Sequence, residues 1–210
     1  MKNILYIKSS PRGPQSYSQK VAQSIVDELQ TSHPAANVVV RNLAQNPPPH
    51  VGEAFVGGIS IPSDQRNPEQ SAALNISDAL IDELAAADIV VLAVPMHNFG
   101  PPSTLKAWID HVVRVGRTVS YSQKGPEGAL KGKRAIIVVA RGGVYSDGPA
   151  RPFDFQEPYL RHLLGFMGLA DVAFIHTEKI GFGPGAREAA LIGAREKISV
   201  FCSQGLRKAA

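Results

Sequence analysis

Three short stretches of the chain carry residues whose types and spacing could do chemistry together. The first, "KSSPRGPQSYSQ" (8–19), sets Ser9, Ser10, Ser16 and Ser18 in a loop that runs into a helical pattern. Hydroxyls beside the free N–H groups of a helix start can hold a phosphate without a dedicated cation. The same serines also suit a plain N-cap, so this loop alone leaves both readings open. The second, "PMHNF" (95–99), ends an apolar run in Asn98, whose amide both donates and accepts and so suits the edge of a planar heterocycle. Asn98 could equally close a turn. The third, "ARGG" (140–143), offers bare backbone at Gly142 and Gly143 where a flat ligand can approach closely. An Arg-Gly-Gly turn is common in loops, so it too is weak alone.

Other chemistries lack their residues. A dinucleotide-binding first loop needs G-x-G-x-x-G, and only Gly13 stands there; no G-x-x-x-x-G-K-[ST] occurs either. No G-x-S-x-G elbow supplies a serine nucleophile to His111, and His33, His50, His162 and His176 are scattered singly, with no ligand pair. Cys202 is the single cysteine; it excludes an internal disulfide and reads as a helix residue rather than a nucleophile.

The elements that must position the three loops follow from hydrophobic period. Five apolar, β-branched runs read as strands: "NILYIK" (3–8), "NVVVRNL" (37–43), "DIVVLAVP" (88–95), "RAIIVVAR" (134–141) and "DVAFIHTEKI" (171–180). Helical patterns alternate with them. In the first, Val21, Ile25 and Leu29 share a face, and Ser16 or Ser18 is the expected N-cap. Runs such as Ile89 to Val94 do not alternate with polar residues, which marks strands buried on both faces of a parallel sheet. Strand and helix alternating five times predict a doubly wound α/β fold in a single domain spanning 1–210. In such sheets ligands sit beyond the carboxyl ends of the strands, where the chain reverses direction across the sheet. The connections leaving that edge are 8–16, 43–69, 95–102 and 141–157, and the second and fourth are long and rich in Pro and Gly. All three candidate stretches fall on that edge.

Composition narrows the partners. A formal charge of +4, with no Lys/Arg block, does not make the concentrated basic stripe of a nucleic-acid groove. The amino terminus lacks a signal-peptide core, and no run approaches the roughly 18 apolar residues of a membrane span. With one cysteine, a cytoplasmic protein without nucleic-acid or membrane partners is expected.

In order along the chain, "KSS" and "SYS", "PMHNFGPPSTLKAWID", "YSQKGPEG", "ARGGVYSDGP" and "LLGFMGLADV" resemble the FMN-dependent NADH-azoreductases, which are also NADH:quinone oxidoreductases. The resemblance extends from about residue 3 to the "GFGPG" at 181–185. It implies a flavodoxin-like five-stranded parallel sheet of order 2-1-3-4-5 with helices on both faces. It also implies FMN as cofactor, with its phosphate on Ser10, Ser16, Tyr17 and Ser18. The flavin ring would lie between Met96, His97, Asn98, Phe99 and Ala140, Arg141, Gly142, Gly143. Two positions depart from the family's usual residues: His97 stands where Tyr is common, and Ala140, left with only its backbone, where Ser is common.

The activity so implied is ping-pong reduction. NADH, or NADPH in its place, reduces the flavin, and a flat quinone or azo compound is then reduced to a hydroquinone or to amines. A homodimer is implied as well, with Tyr121, in the long connection 117–133, reaching the partner's active site and Phe166 a second candidate for the substrate pocket. The rival reading is a flavodoxin-type FMN electron carrier without a substrate of its own. Carriers of that type are typically acidic with short loops, whereas this chain is mildly basic with elaborate ones.

Overall fold

The computed structural model describes residues 1–205. Its core is a five-stranded parallel sheet built from β1 (Asn3–Lys8), β2 (Asn37–Asn42), β3 (Ile89–Pro95), β6 (Arg134–Ala140) and β7 (Asp171–Thr177). The spatial order is β2-β1-β3-β6-β7, which is 2-1-3-4-5 when only the parallel strands are counted. Two further strands, β4 (Val119–Ser122) and β5 (Gly125–Gly128), form a separate antiparallel hairpin.

The unbroken apolar strands are explained by the two faces they serve. Ile89, Val91 and Ala93 of β3 pack beneath α1 (Tyr17–Ser32) and α6 (Pro184–Gly205), with Val21, Ile25 and Ile198. Val90, Leu92 and Val94 pack on the opposite face against α3 (Pro68–Ala86), α4 (Ser103–Val112) and α5 (Glu157–Phe166), with Leu84, Trp108 and Leu164. A central strand covered on both sides has no position at which a polar residue is solvated. Cys202 lies in α6, but its side chain is outside the described part of the chain.

Two connections are more ordered than the sequence pattern predicts. The segment 43–69, which lacks a long periodic run, contains the short helix α2 (Glu53–Gly58). Its Phe55 is buried edge-on to His111 of α4, with ring centroids 5.2 Å apart, and His111 Nε2 is hydrogen-bonded to the Pro49 carbonyl at 2.9 Å. Three prolines thus run over the molecule because one buried aromatic and one histidine hold their ends. The 117–133 connection is the β4–β5 hairpin. Its "GPEG" has a steric reason: a Cβ on Gly128 would lie 2.1 Å from the backbone nitrogen of Gly168, in the turn between α5 and β7. Leu130 N–H donates to Met167 O at 2.8 Å beside this contact, so the hairpin base is clamped backbone to backbone.

Gly128→Ala should therefore destabilise the protein by about 3 kcal/mol, because neither backbone can give way. Gly57→Ala, whose Cβ meets only the end of the Gln70 side chain at 3.4 Å in a helix, should stabilise it by a few tenths to about 1 kcal/mol. Urea unfolding of both variants measures the contrast.

Candidate active site

At the end of β1 the chain passes through a 3₁₀ turn at Gly13–Gln15 and enters α1 with Ser16 as N-cap. Ser16 Oγ accepts the Gln19 N–H at 3.3 Å and lies 3.1 Å from Ser18 Oγ. Ser10 Oγ accepts the Arg12 N–H at 3.3 Å, and Gln19 Nε2 ties the loop to the helix by donating to Ser10 O at 3.2 Å. Ser10, Ser16 and Ser18 are all buried. The first N–H groups of α1 have no intrahelical acceptor, and the helix dipole adds partial positive charge there.

The side chains around this corner sharpen its chemistry. Arg12, Lys20 and Arg187 all sit over the ring of Tyr17, with cation-to-centroid distances of 5.6, 5.6 and 5.4 Å. None has a carboxylate within 4.0 Å among the described residues. Three like charges round one ring repel each other, and the ring's quadrupole offsets only part of that. An anion with more than one negative charge resolves the imbalance.

Strand β3 ends in a two-residue turn. His97 and Gly100 exchange both backbone hydrogen bonds, at 2.9 and 3.0 Å, around Asn98 and Phe99. Both central residues have positive φ, 47° and 69°, as a type I′ turn requires. Asn tolerates this, but Phe in the left-handed region costs roughly 1–2 kcal/mol, and the tight turn over-determines it. Met96 N–H donates to Ala140 O at 2.9 Å, joining this turn to the third loop.

The third loop is anchored by Arg141. Its guanidinium has no exposed surface and lies 2.8 Å from Asp154, 3.2 Å from Glu178 and 3.9 Å from Glu157. The contact to Asp154 is an ion pair rather than an aligned hydrogen bond, while Arg141 Nε donates to Gln156 Oε1 at 3.1 Å. Gln156 Nε2 in turn donates to Pro95 O at 2.9 Å, which links the network back to β3. Backbone bonds from Arg141 to Thr177 O, Lys179 to Gly143 O and Gly181 to Gly142 O lace the loop to the end of β7.

Burial raises the Glu178 carboxyl, but hydrogen bonds from Ser146 Oγ, the Tyr145 and Ser146 N–H groups and Arg141 outweigh it, leaving Glu178 below the ordinary range. Glu157 is likewise pushed up by burial, yet His176 and Arg161, each at 2.6 Å, bring it down to about 2.

These corners enclose a cavity of about 440 Å³. Of the residues expected from sequence, Ser10, Ser16, Tyr17, Ser18, Met96, His97, Ala140, Arg141 and Gly142 line it. Asn98 and Phe99 stand exposed on the turn beyond the wall, and Gly143 lies behind it against the Tyr145 ring. Gly142 presents bare backbone: a Cβ there would meet nothing within 4 Å. Tyr121, 63% exposed on the hairpin, and Phe166, packed against the core and stacked on His162, lie away from their own chain's cavity. Apart from Pro95, which opens the "PMHNF" stretch, sequence reasoning missed four wall residues: Arg12, Ile180, Gly181 and Arg187. Arg12 lay in a stretch already singled out, and its charge was the available signal. The other three come from the end of β7 and from α6, and only folding brings them here.

The donor set fits a flat heterocycle that carries a phosphate: an anion corner of buried hydroxyls, helix N–H groups and unpaired cations, then a slot between a rigid turn and bare backbone. Such a cavity at the switch point of a doubly wound sheet is what flavodoxin-like proteins present, and the family model described as a flavodoxin-like fold matches residues 2–201. The chain is 49% identical over 200 residues to the FMN-dependent NADH:quinone oxidoreductase of Hyphomonas neptunium, with 95% of each chain covered. It is 50% identical over 196 residues to that of Aromatoleum aromaticum, covering 93% of this chain and 97% of the other. A crystal structure of azoreductase from Bacillus anthracis str. Sterne matches with a TM-score of 0.90 at 26% identity, over 97% of this chain and all of that one. The chain belongs to the family of FMN-dependent NADH:quinone oxidoreductases.

The carboxylates around Arg141 set an acid limit. Glu157 is ionised down to about 2 when folded, against an ordinary 4.5. Its stabilising contribution is therefore complete above pH 4.5 and lost as the pH falls through 2. The thermal unfolding midpoint should fall across that window, and less steeply in Glu157→Gln, as calorimetry at successive pH values measures.

Proposed function

We propose that the chain is an FMN-dependent oxidoreductase that uses NADH to reduce quinones to hydroquinones and azo compounds to amines. One observation carries the reading: a phosphate-sized anion corner and a bare-backbone slot share a single cavity, in a chain about half identical to FMN-dependent NADH:quinone oxidoreductases. When bound, FMN supplies the redox chemistry, taking two electrons from a nicotinamide donor and passing them to the acceptor.

The protein's part is to bind, orient and tune. Ser10, Ser16, Tyr17 and Ser18 hold the phosphate, and Arg12, Lys20 and Arg187 neutralise its charge. Met96 and His97 flank the ring on one side, on the turn that Asn98 and Phe99 close; Ala140 through its backbone, Arg141 and Gly142 flank it on the other, with Gly143 supporting them from behind. The Gly142–Gly143 backbone is fixed by its carbonyl ties to Lys179 and Gly181, and N–H groups held on such a backbone would stabilise charge on the ring without reorganising. Arg141 acts here through position, since its guanidinium is committed to carboxylates. No side chain serves as a nucleophile.

The working unit is a homodimer in the cytoplasm, and among the described residues no helix is long and apolar enough to cross a membrane. Tyr121 is contributed to the partner's substrate pocket, and Phe166 is the second residue assigned to a substrate pocket. That assignment is supported by Tyr121's exposure at the tip of a clamped hairpin.

The test is the visible spectrum. The FMN-loaded protein should bleach with anaerobic NADH and recover its bands on adding a quinone. Flavin bands indifferent to NADH and NADPH would point to an electron carrier, and a protein that takes up no FMN would sink the reading altogether. The same preparation should sediment as a dimer, and Tyr121→Ala should raise quinone KM more than it weakens FMN.

The cation corner makes a separate prediction. Arg12→Gln and Arg187→Gln should each weaken FMN about fivefold to tenfold while leaving riboflavin affinity nearly unmoved, as flavin fluorescence titration measures.

A further inference from the structure

Beside the flavin cavity lies a second, of about 350 Å³, enclosed by the 145–156 loop, the first turns of α5 and His176 of β7. Its acidic walls are already satisfied. Asp154 faces Arg141 with one oxygen and accepts the N–H groups of Gln156 and Glu157 with the other, both at 3.0 Å. Glu157 is bound by Arg161 and His176. The remaining charged lining residue is Arg151, which is exposed and has no carboxylate within 4.0 Å among the described residues.

An aromatic ridge runs from the turn beside the first cavity to the wall of this one. Phe99 follows Met96 and His97 of the flavin-cavity wall, and its ring centroid lies 6.1 Å from Tyr145 at 77° and 6.3 Å from Phe153 at 48°. Tyr145 lines the second cavity, and Phe153 shares a 3₁₀ turn with Arg151. Phe99 and Phe153 are 47% and 54% exposed. Phe99 is held in that exposed place on a left-handed backbone, so the turn keeps an aromatic face outward at a conformational cost.

We propose that the ridge and Arg151 form a subsite for acceptors that carry an anionic group, sulfonate or carboxylate, on an aromatic ring system. The proposal rests on the oxidoreductase reading above and names the acceptor class that site selects. The acceptor's rings extend from the flavin over Phe99 and Phe153, whose tilted faces suit offset and edge contacts. Its anion meets the guanidinium of Arg151, whose planar fork pairs with two oxygens at once. Because Arg161 and His176 are already engaged by Glu157, Arg151 supplies the charge that discriminates anionic from neutral acceptors.

The experiment compares anthraquinone-2-sulfonate with the neutral 2-methyl-1,4-naphthoquinone on the FMN-loaded enzyme, so that intrinsic reactivity cancels between variants. In Arg151→Gln the ratio of kcat/KM, sulfonate over neutral, should fall about fivefold through KM, and further in Arg151→Glu. In the unaltered protein the same ratio should fall as salt is raised, because an exposed charge pair is screened. A ratio unmoved by both substitutions, or a loss shared equally by the two acceptors, overturns the subsite. If NADH still bleaches the flavin and the neutral quinone is turned over, that failure belongs to the subsite alone. A protein that reduces neither acceptor overturns the oxidoreductase reading and the subsite with it.

Discussion

The buried guanidinium of Arg141 constrains this molecule more than any other group. A charge with no exposed surface is tolerable only when opposite charges surround it, and the carboxylates that do so come from separate places: Asp154 from the long loop, Glu157 from the first turn of α5, and Glu178 from beyond β7. Satisfying the arginine therefore requires those segments to converge on the end of β6. Gln156 extends the requirement to β3 through Pro95. The cavity is a consequence of that convergence, since its far wall is the backbone of the residues this network pins.

Against this rigid frame the chain sustains two local imbalances. One is the left-handed pair Asn98 and Phe99, where a bulky aromatic occupies a conformation it ordinarily avoids. The other is the set of three uncompensated cations around Tyr17. Natural sequences agree with their folds at most positions and depart from local preference chiefly where a ligand repays the departure. Both departures lie next to residues that line the same cavity: Asn98 and Phe99 follow Met96 and His97, and Arg12, Tyr17 and Arg187 belong to its wall.

Much of the fold was legible in the chain. The uninterrupted run from Ile89 to Val94 required burial on two faces, and that requirement led directly to a parallel sheet with helices above and below. The β4–β5 hairpin was not legible, because "VSYS" and "GPEG" are short and largely polar, and what holds them is a close approach to Gly168 forty residues away. The helix at Glu53–Gly58 was hidden for a similar reason: a single turn and a half depends on Phe55 meeting His111, a contact without any local periodicity. Among the site residues, hydroxyls and glycines at strand ends were readable because their chemistry is local to the loop. Arg187 and Gly181 were not, since nothing near them in sequence refers to Tyr17 or Gly142.

By itself, then, the amino-acid sequence determined the sheet, its two covered faces, the strand ends where a ligand must lie, and the family resemblance of the loops there. These rest on period and on side-chain types within a few residues of one another. Tertiary structure alone decided which cations meet around Tyr17, that Arg141 faces carboxylates while its backbone faces the cavity, and that Phe99 stands against Tyr145 and Phe153. Each of those depends on contacts between residues far apart in the chain, and burial and charge pairing act on distance in space, which no local pattern encodes.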